Sequence, residues 1–298
     1  MIGFNLQKTK WHFTALLAEK FAQREAEQLM RILLEDFFGI DLKRLLMEPD
    51  LRIEEFQYAQ LKHAVERLLA GEPVQYVTGM ACFNDLLLKV SPAVLIPRPE
   101  TEELVQKIGT SLPREKPMRI WDIGTGSGYI AIALAKRFAN AEVVAFDVSE
   151  AALQIAKENA ESNGAKVTFV HDDVMNPTSG FFIQPVNLVV SNPPYVCDSE
   201  RSAMEHNVLD WEPETALFVP DGDPLRFYRK ILALAQSQLT HGGQVWFEIN
   251  ERMGEEMLSL CREMGFSEAE VMEDFAGKPR FVKTSSACSS EEKTHISM

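Results

Sequence analysis

The sequence predicts an α/β fold in which a mainly parallel β-sheet is wrapped by helices and preceded by a small helical domain. Three observations lead to this prediction. The 298 residues, 46% hydrophobic and 25% charged, have the composition of a globular protein with room for two domains. The N-terminal quarter shows only helical periodicity. From residue 119 onward, short apolar runs alternate with helical stretches, the pattern of β–α–β units.

Two stretches near the N-terminus have the periodicity of helices with one buried face. In Glu25–Phe38, apolar side chains recur at three-to-four spacing. Ile53–Ala70 repeats this pattern and ends before Gly71 and Pro73, residues that stop helices. The apolar positions of the second stretch are Ile53, Phe56, Leu61, Val65, Leu68 and Leu69. We therefore predict a helical domain at residues 1–75, whose apolar stripes pack into its core.

A short strand-like segment follows the helices. Phe83–Val90, which contains Asn84-Asp85, and Val94–Ile96 are predicted to form a hairpin that links two domains within residues 76–98. The α/β domain is predicted to occupy residues 99–283. Residues 284–298 are rich in serine and lack apolar periodicity, which is typical of a disordered tail.

Seven runs of the α/β domain are candidates for its strands, five of them strongly apolar and the last two weaker. In chain order they are Arg119–Ile123, Val143–Asp147, Val167–Val170, Leu188–Ser191, Gln244–Ile249, Glu268–Met272 and Arg280–Lys283. Their alternation with helical stretches predicts a sheet that is covered on both faces.

Composition argues against several classes of protein. No run approaches the roughly 18 apolar residues of a membrane helix, and the N-terminus lacks the pattern of a secretory signal. Thirty basic against 44 acidic residues give a net charge of −14, which disfavours tight nucleic-acid binding. Four widely separated cysteines indicate neither a disulfide framework nor a zinc site. We expect a cytoplasmic monomer that uses no metal and binds neither membranes nor nucleic acid directly.

A glycine-rich loop, Asp122-Ile-Gly-Thr-Gly-Ser-Gly128, follows the first strand, and Tyr129–Phe138 continues as a helix. Alternate glycines let the backbone approach a ligand and expose N–H groups near a helix N-terminus. Asp147 ends the second strand, where doubly wound folds place an acid on ribose hydroxyls. Asp122 has no role in phosphate binding but is suited to attract a cationic ligand. Together these features resemble the adenosylmethionine site of class I methyltransferases.

A second motif, Asn192-Pro193-Pro194-Tyr195, follows the fourth strand at the same edge of the sheet. Because proline lacks an N–H and extends the residue before it, the turn leaves carbonyls free. The side-chain oxygen of Asn192 and the carbonyl of Pro193 can accept both N–H groups of an amide or amino nitrogen. This would turn the nitrogen lone pair toward an incoming methyl group. The ring of Tyr195 can pack against the planar group and favour a developing positive charge.

With these motifs in place, the chain resembles the release factor glutamine methyltransferase (PrmC/HemK) family over nearly its whole length to about residue 283. The resemblance also rests on other runs in the expected order. They are Glu72-Pro-Val-Gln-Tyr-Val-Thr-Gly79, Leu95-Ile-Pro-Arg-Pro-Glu-Thr-Glu102, Trp211-Glu-Pro-Glu-Thr-Ala-Leu217 and Asp221-Gly222.

The resemblance implies a class I, Rossmann-like domain with a seven-stranded, mainly parallel sheet. It also implies that the helical domain at residues 1–75 is a substrate-recognition domain, which helps to hold the release factor. It implies methylation of the glutamine side-chain nitrogen (N5) in the Gly-Gly-Gln loop of class I peptide release factors. S-adenosylmethionine is the implied donor and S-adenosylhomocysteine the product. The implied cofactor-binding residues are Asp122, Gly124, Thr125, Gly126, Ser127, Gly128, Asp147, Asp173, Val174 and Asn192. The implied catalytic residues are Asn192, Pro193, Pro194 and Tyr195. Asp173 falls near the adenine, and Val174 forms an apolar wall.

Three other functions share parts of this pattern. A relative that methylates a glutamine of a ribosomal protein has a similar site, although the Arg98–Glu102 run favours the release-factor branch. Amino methylation of DNA or RNA would present similar N–H groups to Asn192, but the chain lacks a basic nucleic-acid-binding module. A non-catalytic protein that binds adenosylmethionine would not need the intact Asn192–Tyr195 motif. Pro99 and the acids after it are also typical of a plain helix start.

Overall fold

The structure, a computed structural model, describes residues 3–285. Its helices are α1 (Leu6–Leu17), α2 (Gln23–Phe38), α3 (Leu42–Met47), α4 (Glu55–Leu69), α5 (Val74–Thr78), α6 (Pro99–Ser111), α7 (Tyr129–Arg137), α8 (Glu150–Ser162), α9 (His206–Leu209), α10 (Glu214–Leu217), α11 (Arg226–Gln238) and α12 (Gly254–Glu263). Its strands are β1 (Phe4–Asn5), β2 (Arg52–Ile53), β3 (Met80–Phe83), β4 (Leu86–Lys89), β5 (Met118–Ile123), β6 (Ala141–Asp147), β7 (Thr168–His171), β8 (Val186–Ser191), β9 (Val196–Cys197), β10 (Phe218–Val219), β11 (Leu239–Glu248), β12 (Glu268–Glu273) and β13 (Pro279–Ser285).

The chain divides into two compact units. The helical unit runs up to Met80 and also includes Val90–Pro92 and Met204–Trp211. The α/β unit consists of Ala81–Lys89, Ala93–Ala203 and the chain from Glu212 onward. Each unit therefore contains segments that are distant in sequence.

Helices α2 and α4 carry the apolar stripes of the helical unit. Leu61, Val65 and Leu68 are buried as their spacing predicts. Ile53 is also buried, but it lies in β2, because Glu54 caps the helix and its N–H donates to Gln57 Oε1 at 2.9 Å. The prediction for Phe56 is wrong. Its side chain is 64% exposed, since five residues turn a helix by about 140° and place Phe56 off the stripe of Leu61.

The Glu72–Gly79 run contains the end of the turn after α4 and the whole of α5. The carboxylate of Glu72 is buried and accepts hydrogen bonds from two nitrogens of the Arg67 guanidinium. The same guanidinium donates to the carbonyl oxygens of Tyr76 and Val77, each at 3.1 Å. A bidentate ion pair with these added bonds is geometrically specific, so this run fixes the path of the chain after α4.

The predicted hairpin forms from different residues. Strands β3 and β4 pair with each other, and Asn84-Asp85 make the turn with positive φ angles of 46° and 61°. Two left-handed residues are what a tight two-residue hairpin requires. Val94–Ile96, which the sequence assigned to this hairpin, is not a strand.

A seven-stranded sheet forms the centre of the α/β unit, in the order β12-β13-β11-β8-β5-β6-β7. Its strands are parallel except β13, which is antiparallel to both of its neighbours. The mainly parallel sheet and the helical N-terminal segment are confirmed. The chain leaves β5 toward β6 and β7 and then returns to β8 on the other side of β5. Such a switch point opens a ligand crevice at the carboxyl ends of β5 and β8.

Helices cover both faces of the sheet, as predicted. Alternate residues of β5 show the two layers, because Ile120 packs in a cluster with α6 and α7, whereas Trp121 packs in a cluster with α11 and α12. The sheet extends into the predicted tail, residues 284–298. Thr284 and Ser285 belong to β13 and pair with Val245 and Gln244 of β11. The rest of the predicted tail, residues 286–298, lies outside the described residues.

Candidate functional site

The glycine loop between β5 and α7 has two kinds of glycine. Gly124, Gly126 and Gly128 all have positive φ, at 76°, 55° and 84°. A Cβ on Gly124 or Gly126 would meet no atom within 4 Å, so the backbone there faces open space. A Cβ on Gly128 would lie 3.0 Å from Cβ of Ala156, so this glycine lets α7 and α8 approach each other. The first two glycines thus open the pocket and the third closes the packing behind it.

Asp122 lies beneath this loop. Its Oδ2 accepts hydrogen bonds from the Thr125 hydroxyl at 2.6 Å and the Ala131 N–H at 3.1 Å. Oδ1 is buried and has no hydrogen-bond partner among residues 3–285. Burial raises the pKa of Asp122 to about 7. The carboxylate therefore holds the turn into α7 through one oxygen, while its other oxygen makes no hydrogen bond in the described part of the chain.

Asp147 connects the loop to the next strand. Its Oδ2 accepts from the N–H of Gly126 at 2.8 Å, and its Oδ1 accepts from the N–H of Ser149 at 2.9 Å. Burial raises the pKa of this carboxyl, while both backbone N–H groups oppose the rise. Asp147 thus sets the shape of the loop and also faces the pocket.

A pocket opens above the carboxyl ends of the parallel strands. Eight of the predicted site residues line it: Gly124, Gly126, Asp147, Asp173, Val174, Asn192, Pro193 and Pro194. Five others do not: Asp122, Thr125, Ser127, Gly128 and Tyr195. Of these, Thr125 and Ser127 are buried in the loop and stabilise it. The Thr125 carbonyl accepts from the Gly128 N–H, and the Ser127 carbonyl accepts from Asn159 Nδ2.

The pocket wall contains residues that the sequence did not single out. Phe146, Phe227 and Ile231 add apolar surface, and Asp172 adds a second carboxylate beside Asp173. Burial raises the pKa of Asp172, but hydrogen bonds donated by the N–H groups of Ser179 and Thr178 outweigh this effect. The pKa of Asp172 is therefore lowered. No motif of the sequence reveals these residues, because they reach the pocket only when the sheet is assembled.

The Asn192 side chain has a defined orientation. Its Nδ2 lies 3.3 Å from Oγ1 of Thr101 and 3.4 Å from the hydroxyl of Tyr129. With the amino end turned inward to these two hydroxyls, Oδ1 points away from them, because Oδ1 and Nδ2 diverge from Cγ within the amide plane. Oδ1 is the atom that the sequence assigned to accepting an amide N–H.

Glu248, at the end of β11, lies behind this turn. Its Oε2 accepts from the Thr101 hydroxyl at 2.6 Å, and its Oε1 accepts from the Tyr195 hydroxyl at 3.1 Å. The residue is only 1% exposed, and this burial raises its pKa to about 7. The sequence analysis missed both Glu248 and Thr101. A lone acid within the apolar run Val245–Ile249 of the sequence is the signal that points to Glu248.

Arg98 and Pro99 start α6, and Arg98 also forms an ion pair with a buried carboxylate. Pro99 is the first residue of α6, with Arg98 as its N-cap, so the run does start a helix. Arg98 also pairs with the buried carboxylate of Glu212, which accepts in addition from the N–H of Ile96 at 3.2 Å. Since Ala93–Leu95 line the pocket, this ion pair holds one of the pocket's walls.

Family models match both parts of the chain. A model described as "PrmC N-terminal domain" matches residues 11–79, and one described as "Methyltransferase small domain" matches residues 101–211. The first covers most of the predicted helical segment, residues 1–75, and extends four residues beyond it, and the second contains the glycine loop, Asp147 and Asn192.

Curated relatives cover most of the chain. A release factor glutamine methyltransferase of Bacteroides thetaiotaomicron is 42% identical over 266 residues, which are 89% of this chain and 95% of that protein. A release factor glutamine methyltransferase of Flavobacterium psychrophilum is 39% identical over 281 residues, covering 93% of this chain and 98% of that protein.

A solved structure shares the fold. The Thermus thermophilus 16S rRNA N2 G1207 methyltransferase, solved with AdoMet and guanosine, has a TM-score of 0.50 and 16% identity, over 70% of this chain and 50% of that chain. At this identity the likeness bears on the fold alone, and it agrees with the class I methyltransferase fold predicted from the sequence.

Two observations concern other kinds of site. Within residues 3–285, no helix is long and apolar enough to cross a membrane. The same part of the chain has no group of three or more His, Cys, Asp or Glu side chains that could hold a metal ion.

Proposed function

Because the chain belongs to the family of release factor glutamine methyltransferases, we propose that it methylates N5 of the glutamine in the Gly-Gly-Gln loop of class I peptide release factors. The observation that carries this proposal is the orientation of Asn192 at the edge of the pocket. Its amide nitrogen is occupied by Thr101 and Tyr129, so that its oxygen is left to accept an N–H.

The pocket fits S-adenosylmethionine as its cofactor. The open backbone at Gly124 and Gly126 gives room for a ligand to approach the loop, and Asp147 supplies carboxylate oxygens at its rim. Asp173 and Val174 also line the pocket and would hold the adenine. When Asp122 is ionised, above its pKa of about 7, it adds negative charge behind the loop, which suits a cationic ligand. When bound, the cofactor supplies an activated methyl group on a positively charged sulfur.

The substrate amide would be held by two acceptors of the Asn192–Tyr195 turn. Asn192 Oδ1 and the Pro193 carbonyl accept the two N–H groups of the glutamine side chain. An amide nitrogen is a poor nucleophile, because its lone pair is delocalised into the carbonyl. Fixing it in line, about 3–3.5 Å from the group it attacks, is the contribution that such a site can make. Oriented carbonyl dipoles also stabilise positive charge that develops on the nitrogen.

The helical unit would recognise the folded release factor, in addition to the loop that enters the pocket. It exposes large apolar side chains, among them Trp11, Leu46 and Met47, which are 76%, 73% and 71% exposed. Exposed apolar side chains of this size are suited to contact another protein. Binding energy from such a remote contact can position a weak nucleophile. The net charge of −14 supports an enzyme that acts without direct nucleic-acid contact, and we propose that it works as a cytoplasmic monomer.

The substrate class is tested by competition for one labelled methyl donor. The chain is incubated with labelled adenosylmethionine and equal amounts of a class I release factor, ribosomal proteins and RNA. We expect the label on the release factor, and its loss when the glutamine of the Gly-Gly-Gln loop is replaced by alanine. Label on a ribosomal protein would instead support the ribosomal-protein branch, and label on RNA would overturn protein methylation.

A further inference from the structure

The hydrogen bonds behind Asn192 have a fixed polarity. Thr101 has a single hydroxyl proton, and it is directed to Glu248 Oε2 at 2.6 Å. Thr101 therefore presents only lone pairs to Asn192. The end of the Asn192 amide that lies 3.3 Å away must be its NH₂ group, because an oxygen there would face another acceptor.

The polarity originates at Glu248. Above its pKa of about 7 the Glu248 carboxyl is ionised. An ionised carboxylate accepts hydrogen bonds and donates none, so it makes both of its hydroxyl neighbours donors. One neighbour is Thr101, which in turn accepts from Asn192. The other is Tyr195, whose hydroxyl lies 3.1 Å from Oε1. The buried side chain of Glu248 is thus linked to both ends of the Asn192–Tyr195 turn, to Asn192 through Thr101 and to Tyr195 directly.

We propose that Glu248 is a positioning residue for methyl transfer, which acts through Thr101 to turn the Asn192 side-chain oxygen toward the substrate amide and acts directly on Tyr195. This rests on the proposed function of Asn192. The buried position is consistent with the role, because the carboxylate is in the interior, where the charges of Arg280 and Glu100 act on it, and Thr101 is fully buried. Tyr228 also helps to hold Glu248 in place, since its hydroxyl donates to the backbone carbonyl of Glu248 at 3.0 Å.

Four variants separate positioning from simple stability. Glu248→Gln keeps the shape but replaces one acceptor by a donor. Thr101→Val keeps the volume but removes the hydroxyl, and Thr101→Ser restores it. Thr284→Val is the matched control, because Thr284 is also a buried hydroxyl, bonded to the Glu268 carbonyl at 2.8 Å but in β13 away from the pocket lining. Adenosylmethionine affinity and unfolding are measured for each.

The rates are measured in single turnovers with a release factor and saturating adenosylmethionine. We expect Glu248→Gln and Thr101→Val each to lower the rate by about 10–100-fold, the scale of a small misplacement of reacting groups. KM for the release factor and cofactor affinity should change little. The double variant, which combines Glu248→Gln with Thr101→Val, should be at most about threefold slower than the slower single variant. The reason is that both changes break the same chain of hydrogen bonds. Thr101→Ser should recover most of the rate, and Thr284→Val should not lower it.

A spectroscopic measurement needs neither cofactor nor substrate. The Asn192 side-chain NH₂ signals, identified by their loss in Asn192→Asp, should exchange slowly in the ligand-free chain and in Thr101→Ser. They should exchange faster in Thr101→Val and Glu248→Gln. If the chain does not methylate release factor but this pattern holds, the proposed function fails and the positioning of Asn192 stands. Unchanged exchange, additive losses of rate, or equal losses in Thr101→Ser and Thr101→Val would overturn the proposal.

Discussion

Asp147 and Asp122 are both buried acids beside the glycine loop, yet they have different environments. Asp147 lines the pocket and has both oxygens bonded to backbone N–H groups. Asp122 lies below the loop, with one oxygen bonded and the other without a partner among residues 3–285. Of the two acids, Asp147 is therefore the one whose loss we expect to act more directly on a bound ligand.

We expect Asp147→Ala to weaken adenosylmethionine binding by about 1.5–3 kcal/mol, the scale of a hydrogen bond to a charged group. Part of the loss comes from the freed Gly126 N–H, which lets the loop relax. Titration calorimetry measures the change. Glu142→Ala, which removes an exposed acid near the other end of β6, is the control and should leave the affinity unchanged. A folded Asp147→Ala protein that binds normally would remove Asp147 from the site.

Residues of the site could be predicted where a short motif carries them. The glycines, Asp147 and Asn192 stand at strand ends that the sequence pattern marks. Thr101 and Glu248 could not be predicted in the same way, because 147 residues separate them and 91 residues separate Thr101 from Asn192. Their contact depends on where β11 lies in the sheet, and hydrophobic periodicity does not fix strand order.

At the level of elements, the loop between β5 and α7 meets two demands with one residue type. Gly126 faces the pocket, whereas Gly128 faces α8. Both have positive φ, where a side chain costs about 1–2 kcal/mol. Only at Gly128 is there also a steric clash, with Ala156.

The two glycines should respond differently to alanine. Gly128→Ala should lower the free energy of unfolding by more than Gly126→Ala, since its Cβ would lie 3.0 Å from Cβ of Ala156. Gly126→Ala should instead lower cofactor affinity more than Gly128→Ala, because its Cβ enters the open space at the pocket. Denaturant unfolding and calorimetry on both variants test this. The reverse order in either measurement would mean that the loop is packed differently.

The limits of prediction at this scale lie at element ends. The apolar runs located all seven strands of the central sheet, but the hairpin shifted to β3 and β4 because Asn84-Asp85 adopt left-handed angles. The start of α4 moved to Glu55 because of a side-chain bond at Glu54, and Phe56 became exposed. Local hydrogen bonds of this kind compete with periodicity and decide boundaries.

At the scale of the whole molecule, the helical unit is built from more than the N-terminal helices. Met204–Trp211 belongs to it as well, so removing the first 70 residues would leave this segment without its unit. Surface substitutions are therefore a sharper test of recognition than truncation.

We expect a Trp11→Ser, Leu46→Ser, Met47→Ser protein to methylate intact release factor with lower kcat/KM, while its activity on a short Gly-Gly-Gln peptide is unchanged. The control is Ile183→Ser, which removes an equally exposed apolar side chain from the α/β unit. Steady-state kinetics on both substrates make the comparison. Equal efficiencies on protein and peptide, with or without the substitutions, would show that the helical unit does not recognise the release factor.

The most direct measurement maps the methyl group on a release factor by tandem mass spectrometry, after single turnovers with the natural chain and with Asn192→Ala. We predict one methyl group on the side-chain nitrogen of the Gly-Gly-Gln glutamine. Asn192→Ala should form it about 10²–10³-fold more slowly, as when one preorganised polar group is lost, with cofactor affinity nearly intact. A methyl group on another residue, or a near-normal rate in Asn192→Ala, would contradict the assignment of Asn192 as the residue that orients the substrate amide.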